Sequence, residues 1–473
     1  MCHVSSAVYA VWNGSMDHKK ILIISEFIAP VRAVASIRWS SYAKYLARDF
    51  GYEVTVLTNQ KCFDGSDNGR KPYQYDASLE SNLEWFEIAY IPSSMPQTCA
   101  NAFFNLGYHV LEGARKSAVR DSHQRGASRS QTQRMLKSSF PERVFELVDG
   151  SCGKAFVSAG LKADIDFSSF DVMISTYGPI WPHRLAKIIK KRHPHICWIA
   201  DFRDPLVRSR RTNTPKRRAL AGLVTEGADC VTTVSRGFVD GLYLPESRRV
   251  AVLDNGFDVT DASDDLGQSE KGPGFRLVYT GTLYSDDTSR QDMSPLFQSL
   301  ERLIDAGEVD SADVTVEYAG KNSDLFLSTS SRFPRVSSVD HGLVPRDVAL
   351  DLQRKASVLI VCAWNTSEQK GVLTAKIYEY MQQDAPIVGL CCGEVPHSDL
   401  RSLIESSFVG MCHEEADSAA DSCLDDYLLG LYQQWKVKGR ALRDPRSVAG
   451  VMSYSYPELT KKLVALIEEL KNE

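Results

Sequence analysis

The sequence predicts an α/β protein built from two doubly wound parallel sheets in tandem, facing a cleft. Three observations carry that prediction. Short apolar runs alternate with helical patterns through most of the chain, the signature of βαβ units. The chain has 473 residues, too many for one hydrophobic core, which rarely grows past about 250–300 residues. A stretch rich in Asp, Ser, Gly and Pro, residues 258–274, separates two such alternating halves.

The first half opens with Ile21–Ile24, a short apolar run behind two lysines that reads as a buried parallel strand. A loop from Ser25 to Ser36 carries Glu26, Pro30 and Arg32. Trp39, Tyr42, Ala43 and Leu46 then recur at helical spacing, and Gly51 stops the helix. Val54–Leu57 is the returning strand, and the unit as a whole is Rossmann-like. Strand-like pieces follow near Leu83–Ile91. Residues 115–137 are rich in Arg, Ser and Gln and poor in large apolar residues, so residues 60–150 read as an insertion with an exposed, mobile portion. Alternation resumes with strands at Val172–Ser175, Cys197–Ala200, Val231–Val234 and Val250–Leu253, and a helix over 180–192. The expected first domain is therefore 20–257, with residues 1–19 as an extension.

The second domain, 275–450, starts with the strand Arg276–Thr280. Further strands are expected at Val314–Ala319, Val358–Cys362, Ile387–Leu390 and Phe408–Met411. Residues 451–473 hold an amphipathic helix from Pro457 to Leu470. In such sheets ligands bind at the carboxyl ends of the strands, so two facing domains make a cleft there.

Composition narrows the function. With 55 Lys and Arg against 60 Asp and Glu, the formal net charge is −5, which argues against a general nucleic-acid binder. No segment approaches the roughly 18–20 apolar residues that span a bilayer. Eleven cysteines lie scattered without zinc-type spacing and read as buried thiols of a cytoplasmic protein. Arg208, Arg210, Arg211, Lys216, Arg217 and Arg218 form a basic cluster. It reads either as a solvated polar face or as a dock for anionic lipid or a lipid-phosphate acceptor at the membrane surface.

The segment Gly371–Met381, GVLTAKIYEYM, concentrates the chemistry. A helix is expected from near Thr374, with Leu373, Ile377 and Met381 facing the core. Lys376 and Glu379 share another face at i, i+3. A lysine there can bind a phosphate and a carboxylate can bind a ribose diol. An exposed ion pair worth about 0.2–0.5 kcal/mol is the competing reading.

GVLTAKIYEYMQQDAPIVGL, Gly371–Leu390, resembles the donor-site segment of retaining glycosyltransferases of the GT4 type, which have the GT-B fold. The matching positions are Gly371, Lys376, Glu379, Tyr380, Pro386, Ile387 and Val388. Phe275–Leu283, FRLVYTGTL, is similar to the first strand and glycine turn of that family's second domain. Asp254–Asp258, DNGFD, resembles the segment after its last first-domain strand. Asp171–Thr176 and Trp198–Pro205, WIADFRDP, resemble paired strand ends lining its interdomain cleft.

The resemblance implies sugar transfer from an NDP-sugar to a hydroxyl of a glycan, a lipid-linked acceptor or a small molecule, with retention of configuration. It implies Glu379 on the ribose, Lys376 with the Gly281 and Thr282 amides on the diphosphate, and Arg290 nearby. It also implies Gly371 and Thr374 in the donor loop, Lys376 in catalysis, and Asp201 or Asp204 close to the acceptor. The nucleotide sugar is a co-substrate, so no cofactor is implied. Nor is a metal, since no D-x-D stands where a metal-dependent transferase of the other major fold would place one. The sequence departs from the family at Gly371, where the first glutamate of an E-x7-E pair often stands. A sugar-nucleotide epimerase of the same fold, or a non-catalytic nucleotide-sugar-binding subunit, is the alternative reading.

Overall fold

In a computed structural model the described residues are 19–31, 33–59, 77–91, 153–206, 214–259, 273–285 and 290–473. The first sheet joins β1 (Lys20–Ile24), β2 (Glu53–Thr58), β3 (Glu87–Tyr90), β4 (Val172–Thr176), β5 (Cys197–Phe202), β6 (Cys230–Thr233) and β7 (Val250–Val252) in the order β3-β2-β1-β4-β5-β6-β7. The second joins β8 (Phe275–Thr280), β9 (Val314–Ala319), β10 (Ser337–Asp340), β11 (Val358–Trp364), β12 (Ile387–Cys392) and β13 (Gly410–Glu414) in the order β10-β9-β8-β11-β12-β13. Both sheets are parallel. The strand order reverses between β1 and β4 in one and between β8 and β11 in the other, and each reversal opens a crevice at the carboxyl ends.

The sequence reads as it does because helices cover both faces of these sheets. Every residue of β4, β5 and β12 is buried, so their apolar runs are nearly unbroken rather than alternating. Two expectations shift. Strand β10 has no apolar run, because three of its four residues are exposed at the sheet edge. Strand β13 starts two residues later than the apolar pattern suggests. Phe408 turns with a φ of 55°, and Val409 N–H closes the preceding helix on Ile404 O at 3.2 Å.

The helix Val34–Phe50 ends at Gly51, in the left-handed region at φ 69°. Of the expected insertion, residues 77–91 are described and supply β3 to the sheet. Residues 115–137, most of the linker, Arg208, Arg210 and Arg211 lie outside the described residues. Lys216, Arg217 and Arg218 occupy a short helix, Pro215–Arg218, and Arg218 stacks over Tyr243 at 5.3 Å. No helix among the described residues is long and apolar enough to cross a membrane. The described cysteines form no disulfide, and all but Cys423 are buried.

The final helix, Tyr456–Lys471, does not extend the second domain. Tyr456, Leu459, Leu463 and Ile467 are buried in one core with Ile21, Val54, Val172 and Ile199 of the first sheet. The chain therefore crosses between domains twice, and the two crossings touch. Phe257 N–H donates to Tyr454 O at 3.3 Å and Tyr456 N–H to Phe257 O at 3.0 Å. Gly256 makes this approach practicable, since a Cβ there would lie 2.4 Å from Tyr454 O.

Arg38 anchors the crossing. It is fully buried, and all five of its N–H groups are used. Nη1 donates to Asp254 O at 2.6 Å and Asn255 Oδ1 at 3.1 Å. Nη2 donates to Leu253 O at 2.8 Å and Asp201 Oδ1 at 3.0 Å, and Nε to Asp201 Oδ2 at 3.4 Å. Asp201 also accepts from Trp39 Nε1 at 3.1 Å and Thr232 Oγ1 at 2.8 Å. Four donors saturate its carboxylate, and it is 0% exposed. This corrects the expectation that Asp201 approaches the acceptor. It lies inside β5 rather than past its end, and it holds Arg38. Nearby, Asp258 binds Lys44 Nζ at 2.6 Å and Tyr45 Oη at 2.8 Å, both from the same helix as Arg38.

Removing one partner of a buried ion pair strands the other charge, at about 3–5 kcal/mol. Asp201→Ala is therefore expected to lower stability by about that much in denaturant titration. Wild-type stability with altered turnover alone would contradict the anchoring role.

Candidate functional site

The crevice between β8 and β11 is built from three elements that the chain brings together over a hundred residues. Strand β8 ends at Thr280, followed by the Gly281 turn. The helix Lys376–Met381 lies against it, and Tyr380 fixes the distance. Tyr380 Oη accepts from Thr280 N–H at 2.8 Å and donates to Thr280 O at 3.2 Å. The third element is the helix Arg346–Arg354, which contributes Gln353. This side chain is 0% exposed. Its Nε2 donates to Thr280 Oγ1 at 2.8 Å and to Glu379 Oε1 at 2.6 Å.

Glu379 Oε1 also accepts from Lys376 Nζ at 2.8 Å. Burial pushes this carboxyl up, but the Lys376 ammonium and the bonds from Lys376 and Gln353 outweigh it and hold the carboxyl below its ordinary value. Glu379 is thus kept ionised. Its Oε2 has no hydrogen-bond partner among the described residues, and the side chain stays 23% exposed. The pair is more than a surface i, i+3 contact, because its carboxylate is tied into the end of β8.

Thr374 lies at the entry to this helix, which begins at Lys376 rather than near Thr374. Its Oγ1 is buried without a hydrogen-bond partner among the described residues. Arg290 is not in the network; it pairs with Glu415 beyond β13. Between Arg290, Asp292, His413 and Asp421 lies a cavity of about 380 Å³.

Gly371 lies where the two domains meet. Its φ is 73°, and a Cβ would fall 2.4 Å from Phe238 N and 2.5 Å from Ser235 Oγ of the first domain. Ser235 Oγ donates to Gly371 O at 2.7 Å. Beside it, Asp399 accepts from Arg236 N–H at 2.8 Å and Gly237 N–H at 3.0 Å. No side chain fits at position 371 while the cleft corner is closed in this way.

The first-domain crevice, between β1 and β4, carries Glu26 and the pair Arg203–Asp204. Glu26 is 6% exposed, and its Oε2 accepts from Trp181 Nε1 at 2.6 Å. Arg203 Nη1 pairs with Asp204 Oδ2 at 3.0 Å, and Asp204 remains 35% exposed. Gly178 allows the guanidinium to pass, since a Cβ there would meet Arg203 Nη2 at 2.8 Å. His183 lies beneath this surface, fully buried, with Nδ1 2.7 Å from Ser175 Oγ.

Sequence reasoning named Lys376, Glu379, Tyr380 and the Gly281 turn, and the structure joins them. It missed Gln353 and the Glu26–Trp181 contact. The available signal was polarity in the wrong place. Gln353 stands between Leu352 and Ala356 on the buried face of its helix, where a polar residue needs a partner.

No protein-family model matches the chain, and no curated protein matches it. Solved structures do. A glycosyltransferase from Rickettsia africae aligns over 96% of this chain and 99% of its own, with 9% identity and a TM-score of 0.53. The N-terminal domain of a Candida albicans trehalose-6-phosphate phosphatase aligns over 96% and 97%, with 10% identity and a TM-score of 0.58. A UDP-forming α,α-trehalose-phosphate synthase from Burkholderia xenovorans, in complex with glucose-6-phosphate, aligns over 95% and 100%, with 11% identity and a TM-score of 0.54. At this identity the likeness shows the fold, and the fold is GT-B.

Two outcomes follow. Gly371→Glu cannot be accommodated in the closed corner, so small-angle scattering should report a more open particle; an unchanged profile would contradict the contact. Burial holds the His183 imidazole at about 3, below its unfolded value of about 6.5. The unfolded chain then takes the proton first, so stability is full above about 6.5 and falls as pH drops toward 3. Between pH 7 and 5 the wild type should lose about 2 kcal/mol more than His183→Gln in urea titrations; equal losses would contradict it.

Proposed function

We propose that this protein transfers a sugar from an NDP-sugar to an acceptor hydroxyl, with the donor nucleotide bound in the crevice between β8 and β11. The observation that carries the proposal is Glu379. Its carboxylate is kept ionised and fastened by Oε1 at a strand-order reversal, while Oε2 has no protein partner among the described residues. A carboxylate so placed can accept both hydroxyls of a ribose diol. Lys376, 37% exposed beside it, supplies a cation for the diphosphate, and the Gly281 turn lets the Thr282 backbone amide come close to it, the Gly281 N–H being spent on Ala319 O at 2.9 Å. The orphaned Thr374 hydroxyl supports the same site, since an unpaired buried hydroxyl costs about 1–3 kcal/mol that a ligand oxygen would recover. Arg290, committed to Glu415, is a weaker participant.

The GT-B fold supports glycosyl transfer, and the resemblance to GT4-type enzymes favours retention. In that chemistry the acceptor attacks the face from which the diphosphate leaves, and the leaving diphosphate oxygen takes the acceptor proton. The protein's contribution is positioning and stabilisation of charge on the leaving phosphate. Lys376 serves there, and the reaction needs no metal or cofactor. Asp204, 35% exposed and paired with Arg203 in the facing crevice, is the acceptor-side carboxylate; Asp201 acts only through Arg38. The acceptor is a glycan, a lipid-linked sugar or a small molecule. The Lys216–Arg218 cluster is a candidate contact with anionic membrane for a lipid-linked acceptor. UDP is the first nucleotide to test, because one structural neighbour is UDP-forming.

Gly371 favours one second reading. Where a sugar-contacting glutamate would stand, this chain has a domain contact, as a nucleotide-sugar-binding subunit without turnover could.

A melting-temperature screen against UDP-, GDP-, ADP- and dTDP-sugars should single out one base, with stabilisation of about 2.7 kcal/mol at a hundredfold excess over Kd. Glu379→Ala and Lys376→Ala should abolish most of that shift. Equal shifts in wild type and both variants would overturn the site, and binding without sugar transfer to any acceptor would favour the second reading.

A further inference from the structure

We infer that Gln353 is a positioning residue of the nucleotide site: its amide locks Glu379 in the rotamer that points Oε2 at the ligand, and couples that carboxylate to the end of β8. The inference rests on the proposed nucleotide site and extends it to a residue outside the resemblance.

The geometry allows only one orientation of the amide. Both neighbours of Gln353 Nε2, Thr280 Oγ1 at 2.8 Å and Glu379 Oε1 at 2.6 Å, can accept. Thr280 Oγ1 lies 3.1 Å from Tyr380 Oη, which accepts its proton, so the Thr280 hydroxyl is free to accept from Gln353. Turning the amide round would set its oxygen against a carboxylate. The two N–H groups are therefore spent on two acceptors from different elements, one on β8 and one on the Lys376–Met381 helix. Gln353 Oε1 is left buried without a hydrogen-bond partner among the described residues. A buried amide that leaves its own oxygen unpaired costs more than an apolar side chain of that size would. Leu352 and Ala356 on either side of it pack into the apolar core of this domain, and the Gln353 amide bonds polar groups instead. Holding a carboxylate that would otherwise rotate explains that cost. Lys376 alone cannot hold Glu379, since its ammonium sits on a flexible stem and is partly exposed.

Glu379 therefore has two donors with different tasks. Lys376 supplies charge, to which Arg346 adds through space, and Gln353 supplies direction. A ligand diol meeting Oε2 finds a carboxylate already oriented, so ordering it costs no further side-chain entropy.

The test is a double-mutant cycle on the full chain, read by calorimetric titration with the tightest binder among UDP, GDP, ADP and dTDP. Gln353→Leu, and Gln353→Met as a second variant closer in length, should each weaken that nucleotide about tenfold, the scale of one hydrogen bond to a charged group. In a Glu379→Gln background the same changes should have almost no further effect. Loss of a donor that holds Glu379 low should also move the acid limb of the binding profile to higher pH. An equal loss in both backgrounds, an unmoved acid limb, or unfolding of both variants would overturn the inference and leave Gln353 a structural residue. If the wild type binds none of the four nucleotides, the functional reading itself fails, and the inference fails with it.

Discussion

The geometry of this molecule depends on one buried cation. Arg38 sits on the first helix, with no exposed surface and five hydrogen bonds, and every acceptor it holds belongs to β5 or to the segment where the chain leaves the first domain. It fixes Leu253, Asp254 and Asn255 together with the Leu253 N–H bond to Thr233 O at 2.8 Å and the Tyr42 Oη bond to Asp254 O at 3.1 Å. Just beyond that segment, Phe257 and Tyr456 pair where the two crossings touch. Buried ion pairs are often no more stabilising than apolar substitutes, because desolvation offsets the attraction. What this pair supplies is a defined position. Asp201 is oriented by Trp39 and Thr232 as well, so the guanidinium can occupy only one site and the exit of the chain only one path.

From that fixed exit, the second domain is set against the first with both strand-order reversals at the cleft side. The domains touch through Ser235, Gly371 and Asp399. Lys370 also reaches Asp240 there at 3.3 Å, so the contacts named at this corner are polar, while the Arg38 crossing is held by buried bonds. The site inside the second domain is held by bonds of its own. Thr280, Gln353, Glu379 and Tyr380 form a closed set of hydrogen bonds among one strand and two helices. The Glu379 carboxylate is thus ordered by the second domain alone, independently of the contact at Gly371.

Much of this was legible in the sequence because parallel sheets covered on both faces write themselves as apolar runs. Val172–Thr176 and Ile387–Cys392 show this directly. The Gly51 stop was equally visible, because it answers a local backbone requirement, a left-handed φ of 69°. Strand β10 was not, because an exposed edge needs no apolar residues. The role of Asp201 was misjudged for a different reason. A carboxylate at a strand end looks the same in sequence whether it faces a ligand or an arginine 163 positions away. Gln353 was missed on the same grounds: its partners lie 73 and 26 residues distant, and only the fold brings them together. Gly371 looked like a lost glutamate until the structure placed Phe238 and Ser235 against it.

A structure of the protein with a bound nucleoside diphosphate tests the central claim most directly. The account predicts the diphosphate at the Gly281–Thr282 turn beside Lys376. It predicts the ribose hydroxyls on Glu379 Oε2, with the Gln353–Glu379 bond unchanged. A nucleotide seated elsewhere, or a ribose that leaves Glu379 untouched, would contradict it.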